Sequence, residues 1–234
     1  MMSCAMEALE RRAAARAFLG RAPEAGETRV KLCGMSREED VDAVASARPD
    51  FVGFIVGFPK SRRSVAPERL GELVSRLAAS EAGEGVWRVG VFVDELPEEV
   101  ARIVEERGLD LVQLHGHEDA AYLEELRRAL PGLGIVQAFR VRTEADVERA
   151  CGSGADMVLL DNGQGTGERF DWSLASLATR PFMLAGGLSP DNVADAVEQV
   201  RPWGVDMSSG VETDGRKDPE KIKAAVAAVR GVTK

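Results

Sequence analysis

Cys33 and Asp161 are the two side chains whose type and setting could do acid–base chemistry. Cys33 stands in Arg29-Val-Lys-Leu-Cys-Gly-Met35, at the end of a short apolar run and just before a glycine and a helix start. A strand alternates its faces, so Lys31 and Cys33 point one way while Val30 and Leu32 point the other. An ammonium two residues from a thiol favours the thiolate, the chemically active form. Far along the chain, Met157-Val-Leu-Leu-Asp161 repeats the pattern, with an acid at a strand's carboxyl end followed by a glycine-rich loop. One thiol and one carboxyl group on strand ends suggest a base and an acid facing one site. The plainer alternative is an inert core cysteine, a common fate of this residue type.

These residues need a scaffold that brings distant strand ends together. Apolar runs suited to strands buried on both faces occur at 29–33, 51–56, 87–93, 110–114, 135–141, 156–161, 181–185 and 203–207. Helical signals lie between them. Ser36-Arg-Glu-Glu39 reads as a capping box ahead of Val41, Val44 and Ala45. Pro67 stands where a first helical residue should be, before Leu70, Leu73, Val74 and Leu77 at helical spacing. Ser189-Pro190 and Asp218-Pro219 read as two further helix starts. Each strand–helix unit takes about 25 residues with no linker between units, so residues 29–234 read as one domain. Eight such units predict a single (β/α)8 TIM barrel at the small end of its size range. An open doubly wound sheet is the alternative, although it usually has fewer strands and a nucleotide loop after its first strand.

Residues 1–28 form a separate N-terminal extension. The pattern from Glu7 to Leu19 suits a helix, which Gly20, Pro23 and Gly26 then break. Glu7 and Glu10 argue against a transit peptide, since such peptides avoid acids. The extension therefore reads as a surface helix or an over-extended start, with Met6 as another initiator, and without a catalytic role.

The chain has 234 residues, 44% of them hydrophobic, and a formal net charge of −9. An acidic chain offers no field for nucleic acid or an anionic membrane, and no apolar run approaches the roughly 20 residues of a membrane span. Cys4, Cys33 and Cys151 make neither a disulfide framework nor a metal-ligand cluster, and fit a reducing cytoplasm. An anionic substrate would have to be held by local cations and backbone N–H groups.

On a (β/α)8 barrel the site lies where strands end. The residues there are polar or glycine-rich: Cys33-Gly34, Asp94, Gln113-Leu-His-Gly116, Asp161-Asn162, Gly186-Gly187 and Ser208-Ser-Gly210. Glycines let backbone N–H groups approach a ligand, and the loops after strands 7 and 8 commonly bind phosphate on this fold. Either glycine loop alone could be only a tight turn. Together, Gly186 and Gly187 with Ser209 and Gly210 favour a phosphate site. Asp206 shares a face with Ser208, so it could reach a substrate sugar or brace that loop. His115 reads as a polar residue at the barrel mouth. Gly165-Thr-Gly167 reads as a mobile lid, and Asp171 as a helix cap.

Lys31-Leu-Cys-Gly34, Phe58-Pro-Lys-Ser-Arg-Arg63, Gly90-Val-Phe-Val93, Gln113-Leu-His-Gly116, Leu160-Asp-Asn-Gly-Gln-Gly-Thr-Gly167, Phe170-Asp-Trp172, Ala185-Gly-Gly-Leu188 and Asp206-Met-Ser-Ser-Gly-Val-Glu212 form a series. In order and spacing the series resembles the phosphoribosylanthranilate isomerase family, from about residue 29 to 230. The extension before residue 28 departs from the compact form of that family.

The resemblance implies an Amadori rearrangement in tryptophan biosynthesis, without a cofactor. N-(5-phosphoribosyl)anthranilate would become 1-(2-carboxyphenylamino)-1-deoxyribulose 5-phosphate. A general acid protonates the furanose ring oxygen, and the ring opens to a Schiff base. A general base removes the proton from ribose C2, giving an enolamine that tautomerises to the ketone. The family's pattern implies Asp161 as the acid, Cys33 as the base and Arg63 beside the anthranilate carboxylate, where a guanidinium can pair with a planar anion. Arg62 is the competitor for that carboxylate. A free thiol is only a few per cent thiolate at about pH 7, and Lys31 on the same face is expected to lower its pKa. The family's pattern is compatible with a monomer or a homodimer. Two rivals remain at this point. One is a related aldose–ketose isomerase of histidine biosynthesis, which resembles a barrel with an aspartate where this chain has Cys33. The other is a barrel that binds phosphorylated ligands without turnover.

Overall fold

The computed structural model describes residues 4–24, 27–161 and 172–232. Gly165-Thr-Gly167, Asn162 and Asp171 lie outside the described residues, and so do the lid and cap expected there.

Eight parallel strands form the barrel: β1 (Arg29–Cys33), β2 (Phe51–Val56), β4 (Trp87–Phe92), β5 (Leu111–Leu114), β6 (Gly134–Arg140), β7 (Met157–Asp161), β8 (Phe182–Leu184) and β9 (Gly204–Met207). Each pairs with its neighbour in that order, and β1 pairs with both β9 and β2, which closes the sheet. A two-residue strand, β3 (Ser64–Val65), adds to β2. Closure removes the sheet edge, so the backbone groups of every barrel strand are shared with two neighbours.

The strands' alternation divides the core in two. Val30, Leu32, Val52, Phe54, Val112, Leu114, Val158 and Leu160 face outward into a layer shared with the helices. That layer receives α2 (Glu38–Ala47), α3 (Pro67–Ala79), α4 (Pro97–Arg107), α5 (Ala120–Ala129), α6 (Glu144–Cys151), α7 (Trp172–Ala175), α8 (Val193–Val200) and α9 (Pro219–Val232). The residues between them face inward, where Phe51, Val89, Leu111, Val136, Met157, Leu159 and Met183 fill the barrel.

Pro67 and Pro219 each occupy the first helical position as expected. The α2 cap is shifted. The helix starts at Glu38, and Asp40 rather than Glu39 supplies the capping carboxylate, accepting from the N–H groups of Ser36 and Arg37 at 3.1 and 3.0 Å. The helix expected to start at Ser189-Pro190 starts at Val193. Asn192 is buried and binds backward instead, accepting from Ser189 N–H at 2.8 Å and donating to Gly187 O at 2.9 Å.

The N-terminal helix α1 (Cys4–Leu19) is more than a surface helix. Ala15 and Leu19 are buried against the inner core, at the barrel end where the strands begin. Phe18 meets Phe51, Trp87 and Trp203 with ring centroids 5.6, 5.9 and 6.2 Å away. Arg11 pairs with Asp110 at 2.8 Å and Arg16 with Asp156 at 2.9 Å, while Trp203 Nε1 donates to Arg21 O at 3.0 Å. These partners ring the floor of the barrel. Leu19→Ala is expected to cost about 2–5 kcal/mol, read by chemical denaturation, whereas the exposed Leu9→Ala should change stability by less than about 0.5 kcal/mol. Equal costs would show that α1 is not docked.

Candidate active site

At the opposite end, where the strands finish, a cavity of about 300 Å³ opens. Cys33, Gln113, His115, Asp161, Gly186, Gly187, Asp206, Ser208 and Ser209 line it, with Ile55, Phe58, Val91, Val93, Ala185 and Leu188 giving an apolar wall. The structure therefore brings together Cys33, Asp161, Asp206, Gly186, Gly187 and Ser209. Arg63 and Gly210 stand outside the lining. A Cβ on Gly210 would lie 1.9 Å from Leu188 O, so this glycine lets the loops after β8 and β9 touch.

Lys31 and Cys33 share the inward face, as the alternation requires. Lys31 is almost fully buried and its Nζ donates to Asp206 Oδ2 at 2.8 Å, across the β1–β9 pair. Burial opposes the ammonium charge, but Asp206 and then Cys33 outweigh it, and the Lys31 pKa ends raised. For Cys33 the balance falls the other way from the expectation. Burial is the largest influence and pushes the thiol up, Lys31 pulls it down, and Asp206 adds to the rise. The net shift is upward, which favours the protonated thiol over the thiolate.

Gly53 on β2 makes room for this pair. A Cβ there would sit 2.7 Å from Cys33 Sγ and 3.0 Å from Lys31 Nζ. Gly53→Ala must displace one of them, and kcat is expected to fall on the order of a hundredfold. An unchanged kcat in a folded Gly53→Ala protein would show that the thiol's placement is not critical.

Asp161 ends β7 and is partly buried, with His115 Nε2 at 3.6 Å from Oδ2. Gln113 is buried, and its Nε2 lies 3.1 Å from His115 Nδ1. When Gln113 donates to Nδ1, the ring proton sits on Nε2 and faces Asp161. His115 thus faces Asp161, a contact that the sequence did not indicate. Asp94 and His117 pair with each other through His117 N–H at 2.6 Å, outside the cavity lining.

Gly186 and Gly187 have φ of 90° and 66°, conformations that favour glycine. Among the described residues neither N–H donates to a protein acceptor. Ser208 Oγ donates to Cys33 O at 3.0 Å, which fixes the loop after β9 to the end of β1.

Arg63 lies across Gly34, where a Cβ would meet its Cδ at 2.5 Å. Its guanidinium grips Glu212 with two bonds, Nε to Oε1 at 2.5 Å and Nη2 to Oε2 at 3.0 Å. Arg62 is half exposed and also pairs with Glu212. Lys217 Nζ reaches Glu212 Oε1 at 3.0 Å and donates to Ser208 O at 2.8 Å. Burial raises the Glu212 pKa, but the hydrogen bond from Arg63 and the charge of Lys217 hold it at about 2. Lys217 and Asn192 were not singled out from the sequence, and Glu212 and Gln113 stood there only within motifs, without a role of their own. Among the described residues no cluster of three His, Cys, Asp or Glu could hold a metal ion, and no helix is long and apolar enough to cross a membrane.

A closed eight-stranded barrel whose C-terminal mouth gathers a thiol, a carboxyl group and two glycine-bearing loops defines a (β/α)8-barrel enzyme of the acid–base class. The family model of N-(5'-phosphoribosyl)anthranilate isomerase matches residues 30–228. The chain belongs to that isomerase family. The N-(5'-phosphoribosyl)anthranilate isomerase of Acetivibrio thermocellus is 43% identical over 216 residues, covering 87% of this chain and 96% of the relative. That of Dechloromonas aromatica is 44% identical over 211 residues, covering 87% and 96%. Among solved structures, the Thermus thermophilus enzyme superposes with a TM-score of 0.76 at 34% identity, covering 88% of this chain and all of that one. A phosphoribosylanthranilate isomerase in complex with reduced 1-(o-carboxyphenylamino)-1-deoxyribulose 5-phosphate has a TM-score of 0.74 at 36% identity, covering 87% and 99%. The family model's match begins at residue 30, after the α1 helix.

Proposed function

We propose that this chain converts N-(5-phosphoribosyl)anthranilate to 1-(2-carboxyphenylamino)-1-deoxyribulose 5-phosphate, in the cytoplasm and without a cofactor, as a step of tryptophan biosynthesis. The observation that carries this reading is that Cys33 and Asp161, from strands β1 and β7, line one cavity together with both glycine loops. Asp161 delivers a proton to the furanose ring oxygen, and the C1–O bond breaks to leave a Schiff base. Cys33, after giving up its own proton, acts as the thiolate and takes the proton from C2, and the enolamine tautomerises to the ketone. The reaction is an internal redox isomerisation, so no outside electron acceptor is required.

The rest of the site orients the substrate. The N–H groups of Gly186 and Gly187, with the Ser209-Gly210 turn, hold the phosphate. Asp206 keeps Oδ2 on Lys31, while its buried Oδ1 accepts no hydrogen bond among the described residues. That oxygen suits a ribose hydroxyl. Arg63 takes the anthranilate carboxylate, and Phe58 supplies apolar surface for the ring. The chemistry belongs to the barrel, residues 29–234, and the extension 1–28 serves its far end.

A fluorescence assay that follows loss of phosphoribosylanthranilate tests the reading directly. No loss with folded protein would favour a barrel that only binds phosphorylated ligands. Within the same assay, Arg63→Ala is expected to raise KM more than Arg62→Ala does, because Arg63 is largely buried over Gly34 and Arg62 is not. Equal effects, or a larger one from Arg62, would reject the assignment.

A further inference from the structure

A short hairpin follows the eighth barrel strand. Its strands are β10 (Glu212–Thr213) and β11 (Arg216–Lys217), with Glu212 directly opposite Lys217. Asp214 and Gly215 form the turn with φ of 50° and 76°, the two-residue type that matches strand twist. The hairpin is fixed from several sides. Lys221 Nζ donates to Glu212 O at 2.8 Å, and Thr213 Oγ1 donates to Asp218 at 2.7 Å. A Cβ on Gly215 would fall 2.0 Å from Arg62 Nη1, so the turn and the Phe58–Arg63 loop pack closely.

The charges at this junction do not balance. Glu212 is one carboxylate facing Arg62, Arg63 and Lys217. One anion among three cations leaves an excess of positive charge that suits a second anion. A guanidinium offers five N–H donors on two edges. Glu212 occupies the Nε–Nη2 edge of Arg63, which leaves the Nη1–Nη2 edge for another carboxylate.

We propose that Glu212 is a positioning residue that holds Arg63 by one edge and thereby makes the site selective for a substrate bearing a carboxylate. The inference rests on Arg63 as the carboxylate's partner. The Glu212 side chain is nearly fully buried and bound by three cations, so it stays in place when the substrate arrives. It acts as a brace and does not compete with the substrate for Arg63. The relay continues from Lys217 through Ser208 O, and Ser208 Oγ binds Cys33 O. The carboxylate pocket and the thiol are thus referenced to one support.

The test compares two ligands and two backgrounds. Binding is measured by calorimetry with the reduced product analogue and with the same analogue lacking the ring carboxylate. Turnover is measured with N-(5-phosphoribosyl)anthranilate and N-(5-phosphoribosyl)aniline. Glu212→Gln is expected to weaken the carboxylated ligand and raise KM about 10- to 100-fold, with kcat changed far less. The ligands without carboxylate should shift by less than about twofold, and so should every ligand when Glu212→Gln is added to Arg63→Ala. Equal losses on both ligands, or an undiminished loss in the Arg63→Ala background, would overturn the proposal. If Glu212→Gln fails to fold, Glu212→Asp is read in its place, with a smaller loss but the same ligand discrimination. Because calorimetry needs no turnover, an inactive wild type that still discriminates between the analogues would refute the isomerase reading and leave the role of Glu212 standing. A wild type that does not discriminate refutes that role.

Discussion

Cys33→Ser is expected to lower kcat by about a hundredfold or more while leaving substrate affinity largely intact. General acid–base groups contribute roughly 10² to 10⁴-fold, and a serine hydroxyl keeps the shape but is almost never ionised. Retention of more than about a tenth of the wild-type kcat would return Cys33 to the role of a core cysteine. The same residue gives a pH signature. Burial, the largest influence, raises the thiol, so the thiolate appears only as pH climbs past the ordinary thiol range. Alkylation of Cys33 by iodoacetamide, followed by peptide mass, should keep accelerating up to and beyond about pH 9. Lys31→Met removes the charge that opposes burial and should move the rise to still higher pH. A rate already constant at neutral pH would show that the free site holds a thiolate.

The parts of this molecule that the sequence made legible are those whose causes are local. Strands buried on both faces read as continuous apolar runs, so all eight barrel strands fall within about two residues of their expected ends. The shared face of Lys31 and Cys33 follows from the two-residue period alone. Proline at the first helical turn placed α3 and α9. The misread parts depend on long-range partners. The Lys31–Asp206 pair joins residues far apart in sequence, and only barrel closure brings them together. The helix expected to start at Ser189-Pro190 starts at Val193, after Asn192 has bound back to Ser189 N–H and Gly187 O. The lowered pKa expected for Cys33 considered Lys31 but not the depth of the site. The α1 helix looked superficial because its Ala- and Arg-rich sequence has few large apolar residues. Its docking rests on Ala15, Phe18 and Leu19 together with arginines that find Asp110 and Asp156. The hairpin carrying Glu212 did leave a signal, the Asp214-Gly215 pair, but flanking charged residues hid it from a search for apolar alternation.

Asp161→Asn separates the acid from the base. Asparagine keeps the size of the side chain and can still meet His115, yet it has no proton to give the ring oxygen. Ring opening should therefore become the slow step, with kcat lower by about a hundredfold or more. The two halves of the mechanism then differ in their response to deuterium at ribose C2. In Cys33→Ser the C2–H bond breaks in the slow step, so the deuterated substrate should react several-fold more slowly. In Asp161→Asn that step follows a slower ring opening, so the isotope effect on kcat should collapse toward unity. A large C2 isotope effect in Asp161→Asn would mean that the carboxyl group acts on C2 itself. The proton delivered to the ring oxygen would then have to come from another group at the cavity, and His115, with its Nε2 at 3.6 Å from Asp161, is the group placed to supply it.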